Sequence, residues 1–121
     1  MTNTVLIIED DELSLKLEND LLQVNGYDTI STRDGEGAFE LALEHRPDLI
    51  IMDIQLPHLS GVDITKKLKA NNSVKDIPVI AVTAFALKGD KEWILESGCD
   101  AYLSKPISVP EFLKTIAEYI D

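Results

Sequence analysis

Apolar residues run unbroken through Val5 to Ile8, through Leu49 to Met52 and through Val79 to Val82. Runs of this length without alternation mark strands covered on both faces, as in a parallel sheet held between two layers of helices. Residues 27–31 and 101–104 read as two further short strands. Between strands the period changes. From Asp11 to Asn25, Leu13, Leu17 and Leu21 fall four residues apart with Leu22 and Val24 beside them. That spacing predicts a helix with these residues as its buried stripe, and Gly26 stands where a left-handed cap would end it. Gly35 and Gly37 open a second helix with Ala38, Leu41 and Ala42 inward, closed by Pro47. Ser60 or Gly61 starts a third, carrying Val62, Ile64, Thr65 and Leu68. The segment NNSVKDIP is a polar connection. A fourth helix is expected across Glu92 to Ser97, with Leu87 and Ile94 on one stripe and Gly98 as its stop. Ser108 and Glu111 form a capping box for the last helix, which buries Phe112, Leu113 and Ile116.

Strand and helix therefore alternate five times. The fold class expected is α/β, a single doubly wound (βα)5 parallel sheet with helices on both faces. One domain spans residues 1–121, with no linker, no repeat and no effector domain expected. Composition narrows the function. The formal net charge is −11, which repels nucleic-acid phosphates and anionic membrane. The single cysteine, Cys99, allows no intrachain disulfide and no cysteine-based zinc site. It suits a reducing cytoplasm and reads as a small buried hydrophobe. The N-terminal apolar run stops at Glu9, too early for a signal peptide or a membrane span.

Candidate chemistry lies where the apolar runs end. The first strand ends on Glu9 and Asp10, the third on Asp53, the fourth on Thr83 and the fifth on Lys105. In an open parallel sheet, ligands bind outside the carboxyl ends of the strands, where the strand order reverses. Two carboxylates about 4 Å apart repel by roughly 4 kcal/mol at an effective dielectric near 20. A cleft with three of them must take up a proton or bind a cation. Oxygen donors without histidine or thiol favour a hard divalent ion, magnesium first, with manganese as the other candidate. The site is suited to accepting a phosphoryl group on a carboxylate.

The motifs EDD after the first strand, MDIQLPHLSG after the third, TA after the fourth and KP after the fifth resemble the receiver domain of two-component response regulators, the CheY-like family. The stretches VLIIEDDELSLKL, LIIMDIQLPHLSGVDITKKLK, IPVIAVTAFALKGD and GCDAYLSKPISV look most like the DivK-type single-domain cell-cycle regulators. The resemblance implies the flavodoxin-like strand order 2-1-3-4-5. It implies that Asp53 is the phosphoacceptor. It implies that Glu9, Asp10, Asp53 and the main-chain carbonyl of Gln55 hold magnesium. Lys105 would meet the phosphoryl oxygens, and Thr83 would move to hydrogen-bond them. Ala84 would keep the backbone close to the phosphate, and Tyr102 would be an aromatic switch coupled to Thr83. The Lys105–Pro106 bond would be cis. The phosphoryl donor would be a phosphohistidine on a sensor histidine kinase or a histidine phosphotransferase, with an adaptor protein as a further partner. Output would pass through protein contact at a face carrying Trp93, Val109, Pro110 and Tyr119.

Taken singly, these residues say little: Thr83 reads as a cap, Lys105 as a surface lysine, Tyr102 as sheet packing and Trp93 as an edge residue over the core. His45 and His58 read as solvated surface residues. Two other classes compete. A magnesium-dependent phosphohydrolase with an aspartyl-phosphate intermediate would want a second aspartate two positions after the nucleophile, where Gln55 stands. A flavodoxin-like cofactor binder would want a hydroxyl- and glycine-rich loop after the first strand, where EDDE would repel a phosphate.

Overall fold

Strands β1 (Thr4–Ile8), β2 (Asp28–Thr32), β3 (Leu49–Asp53), β4 (Val79–Thr83) and β5 (Ala101–Ser104) alternate with helices α1 (Glu12–Val24), α2 (Gly35–His45), α3 (Gly61–Lys69), α4 (Asp90–Glu96) and α5 (Val109–Ile120). These positions come from a computed structural model, which describes residues 3–54, 56, 60–84 and 90–120. The strands form one parallel sheet in the order β2-β1-β3-β4-β5. This is the flavodoxin-like order that the family resemblance implies. Among the described residues, no helix is long and apolar enough to cross a membrane.

Side chains alternate across a strand, so each apolar run feeds two cores at once. Val5, Ile7, Leu49, Ile51, Ile80, Val82 and Leu103 pack with Leu22 of α1 and Phe112 and Ile116 of α5. Leu6, Ile8, Ile50, Met52, Val79 and Ala81 pack on the other face, with Ala38 and Ala42 of α2, Ile64 and Leu68 of α3 and Ile94 of α4. Every residue of β3 and β4 is buried, which is why neither strand shows a polar alternation. Cys99 is buried in the second core, as expected of a small hydrophobe. Burial pushes its thiol pKa up, against hydrogen bonds with Ser97 and Thr65.

Helix ends follow the sequence signals. Asp11 caps α1 by accepting from the Ser14 amide at 2.9 Å, and Ser60 caps α3 through the Val62 amide at 3.2 Å. Gly26 and Gly98 take the positive φ values that end α1 and α4, +91° and +112°. The expected stripe of α1 needs correction. Leu13 is 78% exposed and Val24 85% exposed, and Leu17 is also open to solvent. The residues turned inward are Glu18 and Leu22, flanked by Leu15 and Leu21. A strict four-residue repeat drifts by about 40° per step around a helix, so the leucine ladder winds off the sheet. Two boundaries also move: β2 is shifted by one residue from 27–31, and α4 begins at Asp90 rather than Glu92. The expected stripe partner Leu87 lies outside the described residues.

Gly61 lets α3 start directly beneath the end of β3. A Cβ built there would collide with the Asp53 carbonyl oxygen and lie 2.9 Å from Ile54 Cα and 3.0 Å from Met52 Cγ. Gly61→Ala is therefore expected to cost about 1–3 kcal/mol, the usual range for overpacking. Urea unfolding checks this; an unchanged midpoint would contradict the close approach.

Candidate functional site

The register Ile8↔Met52 brings the ends of β1 and β3 level. By strand alternation Glu9 follows Val5 and Ile7, Asp53 follows Leu49 and Ile51, and Lys105 follows Leu103. All three side chains fall on the face covered by α1 and α5. The geometry bears this out: Lys105 Nζ donates to Glu9 Oε1 at 2.6 Å and stands 3.5 Å from Asp53 Oδ2. Glu9 is fully buried and Asp53 nearly so. The Lys105 amide is fixed by the Thr83 carbonyl at 2.8 Å, which carries β4's geometry into the lysine. The Lys105–Pro106 peptide is cis.

Burial dominates the electrostatics. Desolvation raises the Glu9 pKa from 4.5 to about 7, with Asp53 pushing the same way and the hydrogen bond from Lys105 opposing. Burial works against the Lys105 charge, but the Glu9 hydrogen bond and the fields of Asp53 and Glu9 outweigh it and hold the ammonium above its ordinary pKa.

The fourth member of the rim was not legible in the sequence. Glu18 projects from α1 into the same face with 1% of its surface exposed. Desolvation, with the Glu9 charge next, pushes its pKa from 4.5 to about 8. Its Oε1 has no hydrogen-bond partner among the described residues. The only signal in the sequence is its place, an acid three residues after Leu15 and four before Leu22.

A divalent ion was expected at Glu9, Asp10 and Asp53. As they stand, no three carboxylate, thiol or imidazole residues among those described close into a cage. Lys105 bridges two of the acids and is the cation that the crowded rim demands. Still, the donor set fits a hard ion: Glu9 Oε2 is buried without a partner among the described residues, and Asp53 lies close enough to raise the Glu9 pKa. Asp10 is half-buried at the mouth, with its carbonyl clamped by Arg33 Nε at 3.0 Å. Gln55 lies outside the described residues, as does His58.

Thr83 and Tyr102 belong to the other face. Thr83 is buried and follows Val79 and Ala81 in the alternation; Tyr102 is half-buried and packs against that same core. Ala84 is exposed, as is His45. The four residues of the expected contact face are all exposed. Val109 and Tyr119 stand about 15 Å apart along α5. The Tyr119 hydroxyl is also engaged, donating to the Asp100 carbonyl at 2.9 Å.

Comparison with known proteins decides the family. The model for the response regulator receiver domain matches residues 5–117. The chain belongs to the response regulator receiver family. It is 58% identical over 120 residues to the polar-differentiation response regulator DivK of Brucella anthropi, covering 99% of this chain and 98% of that one. Among solved structures it resembles the receiver domain of the sensor histidine kinase PA1611 from Pseudomonas aeruginosa, which has magnesium coordinated in its active-site cleft. That likeness has a TM-score of 0.91 at 32% identity and covers 99% and 98% of the two chains. It also resembles the chemotaxis protein CheY4 of Vibrio cholerae, with a TM-score of 0.92 at 25% identity over 98% and 99%.

In this receiver Glu18 carries a stability cost that depends on pH. Its folded pKa is raised, so the folded state binds more protons than the unfolded chain between about pH 4.5 and 8. The stability it contributes is fully present below that window and is lost as pH rises through it. Without divalent ions, Glu18→Leu is expected to gain about 1–4 kcal/mol at pH 8 and to show a shallower fall in stability from pH 5.5 to 8. Urea unfolding at the two pH values checks this; parallel losses in both proteins would contradict it.

Proposed function

We propose that this receiver takes a phosphoryl group from a phosphohistidine onto Asp53 and signals through contacts that depend on that group. The donor is a sensor histidine kinase or a histidine phosphotransferase, with an adaptor protein as a further partner. The setting is cytoplasmic control of cell polarity or the cell cycle, and the polar-differentiation response regulator DivK, 58% identical, supports the polarity reading. The observation that carries the reading is the Lys105 ammonium bridging Glu9 and Asp53 at the buried end of the sheet.

The reaction asks little covalent chemistry of the protein. An Asp53 carboxylate oxygen forms the new O–P bond as the N–P bond to the donor imidazole breaks. The electron pair stays on that nitrogen, and the ring, already protonated on its other nitrogen in the phosphohistidine, leaves as neutral imidazole. Charge spreads over three phosphoryl oxygens in the loose transition state. Lys105, already desolvated beside Asp53, is placed to meet that charge. Glu9, Asp10, Asp53 and the Gln55 carbonyl would hold magnesium, or manganese in its place. The ion supplies charge neutralisation on the phosphoryl oxygens when bound. Thr83 ends β4 on the opposite face, so its hydroxyl must turn across the strand end to reach a phosphoryl oxygen. That movement would open space beside Tyr102 and link the acid face to the Tyr102 face. Such self-directed transfer and hydrolysis would be the whole of its catalysis.

Magnesium-dependent labelling by acetyl phosphate tests the assignment. Wild type is expected to take up one acid-stable, base-labile phosphoryl group; Asp53→Asn is expected to take up none, and Lys105→Ala to label about tenfold or more slowly. Undiminished label in Asp53→Asn would overturn it.

A further inference from the structure

Glu18 is the member of the rim that the proposed phosphotransfer does not use. A cavity of about 360 Å³ opens between α1 and the turn after β5, lined by Leu17, Glu18, Ala84, Lys105, Pro106 and Ile107. Most of its wall is apolar. The hydroxyl of Ser14, which also borders it, is already donated to Asp11 at 2.7 Å. The charged groups facing each other across the cavity are the Lys105 ammonium and the Glu18 carboxyl. Each acts on the other, Glu18 favouring the charged lysine and Lys105 favouring the ionised acid. Yet no hydrogen bond joins them: Lys105 is drawn to Glu9 and Asp53, and Glu18 Oε1 has no partner among the described residues. A lysine carries its charge on a flexible four-carbon stem. Lys105 therefore stands between two carboxyl sites, the Glu9–Asp53 pair that it occupies and Glu18, which lines the apolar cavity with it.

We propose that Glu18 is a positioning residue for phosphotransfer, a second carboxyl site to which the Lys105 ammonium withdraws and from which an incoming phosphoryl group must draw it back. This rests on Asp53 being the phosphoacceptor. A divalent ion engaged by Glu9 and Asp53 repels the ammonium from its first site. In an apolar cavity the unpartnered carboxyl of Glu18 is then the group that receives it. Leaving Glu18 adds to the barrier for transfer onto Asp53. Once the phosphoryl group is in place the lysine has already moved, so hydrolysis of the phosphorylated form is spared that cost.

The test compares Glu18→Gln and Glu18→Leu with wild type in magnesium and acetyl phosphate. Both variants are expected to label Asp53 about threefold or more faster, while label already formed decays within about twofold of the wild-type rate. A residue acting only through packing would not separate the two rates in this way. A second readout follows the Lys105 ammonium by proton–nitrogen correlation in the magnesium-loaded protein, assigned with Lys105→Arg. Its signal is expected to shift in both variants. Labelling that is unchanged or slower, or a lysine signal identical in all three proteins, would overturn the proposal. Absence of label on wild-type Asp53 would overturn the phosphoacceptor reading instead, and the lysine signal would then decide the role of Glu18 alone.

Discussion

A lysine ammonium held between buried carboxylates organises this receiver. Glu9 and Asp53 end adjacent strands with their side chains on one face, and neither is open to water. Two such charges cannot stand side by side in a low-dielectric rim without a proton or a counter-ion. Lys105 supplies the counter-ion from β5, two strands away from β3, and the sheet order is what brings it there. The rim is thus balanced by a movable charge, not a fixed one. In the proposed function, a metal ion or a phosphoryl group takes over part of that balance and the lysine moves in response.

The fold supplies two faces with different tasks. Residues alternating toward α1 and α5 make the charged pocket, and residues alternating toward α2, α3 and α4 carry Thr83 and Tyr102. A change at the strand ends can pass between faces only through the main chain or through a side chain that turns across it. The Lys105 amide bonded to the Thr83 carbonyl is one such link. The opposite edge of the sheet is built to stay put. Asp100 accepts from the Val79 amide at 2.8 Å and from Lys69 at 3.0 Å, and Lys69 also donates to the Ile77 carbonyl. Tyr119 adds a bond to the Asp100 carbonyl.

Much of this could be read from the chain because buried parallel strands write themselves as unbroken apolar runs. The polar residue ending each run marks one end of the sheet, so the placement of Glu9, Asp53, Thr83 and Lys105 at that end was legible. The resident role of Lys105 was not, since sequence order does not say which acid a long side chain reaches. Helix α1 misled for a physical reason. Its leucine ladder at Leu13 and Leu17 faces solvent, and a carboxylate, Glu18, occupies the inward position that apolar periodicity would assign to a hydrophobe. An acid on a helix normally marks the wet side, and here burial among other charges reverses that rule. Tyr119 shows the same limit on a smaller scale, an apparent surface aromatic whose hydroxyl ties α5 to the strand above it.

An acidic rim that exchanges its lysine counter-ion for a hard divalent one must gain stability from that ion, and thermal unfolding of the metal-free receiver against rising magnesium at neutral pH measures the gain. A ligand that binds only the folded state stabilises it by about 2.7 kcal/mol at one hundred times its dissociation constant. The unfolding midpoint is predicted to climb with magnesium in the wild type and to stay flat in Glu9→Gln. A wild-type midpoint indifferent to magnesium, or a climb of equal size in Glu9→Gln, would contradict it.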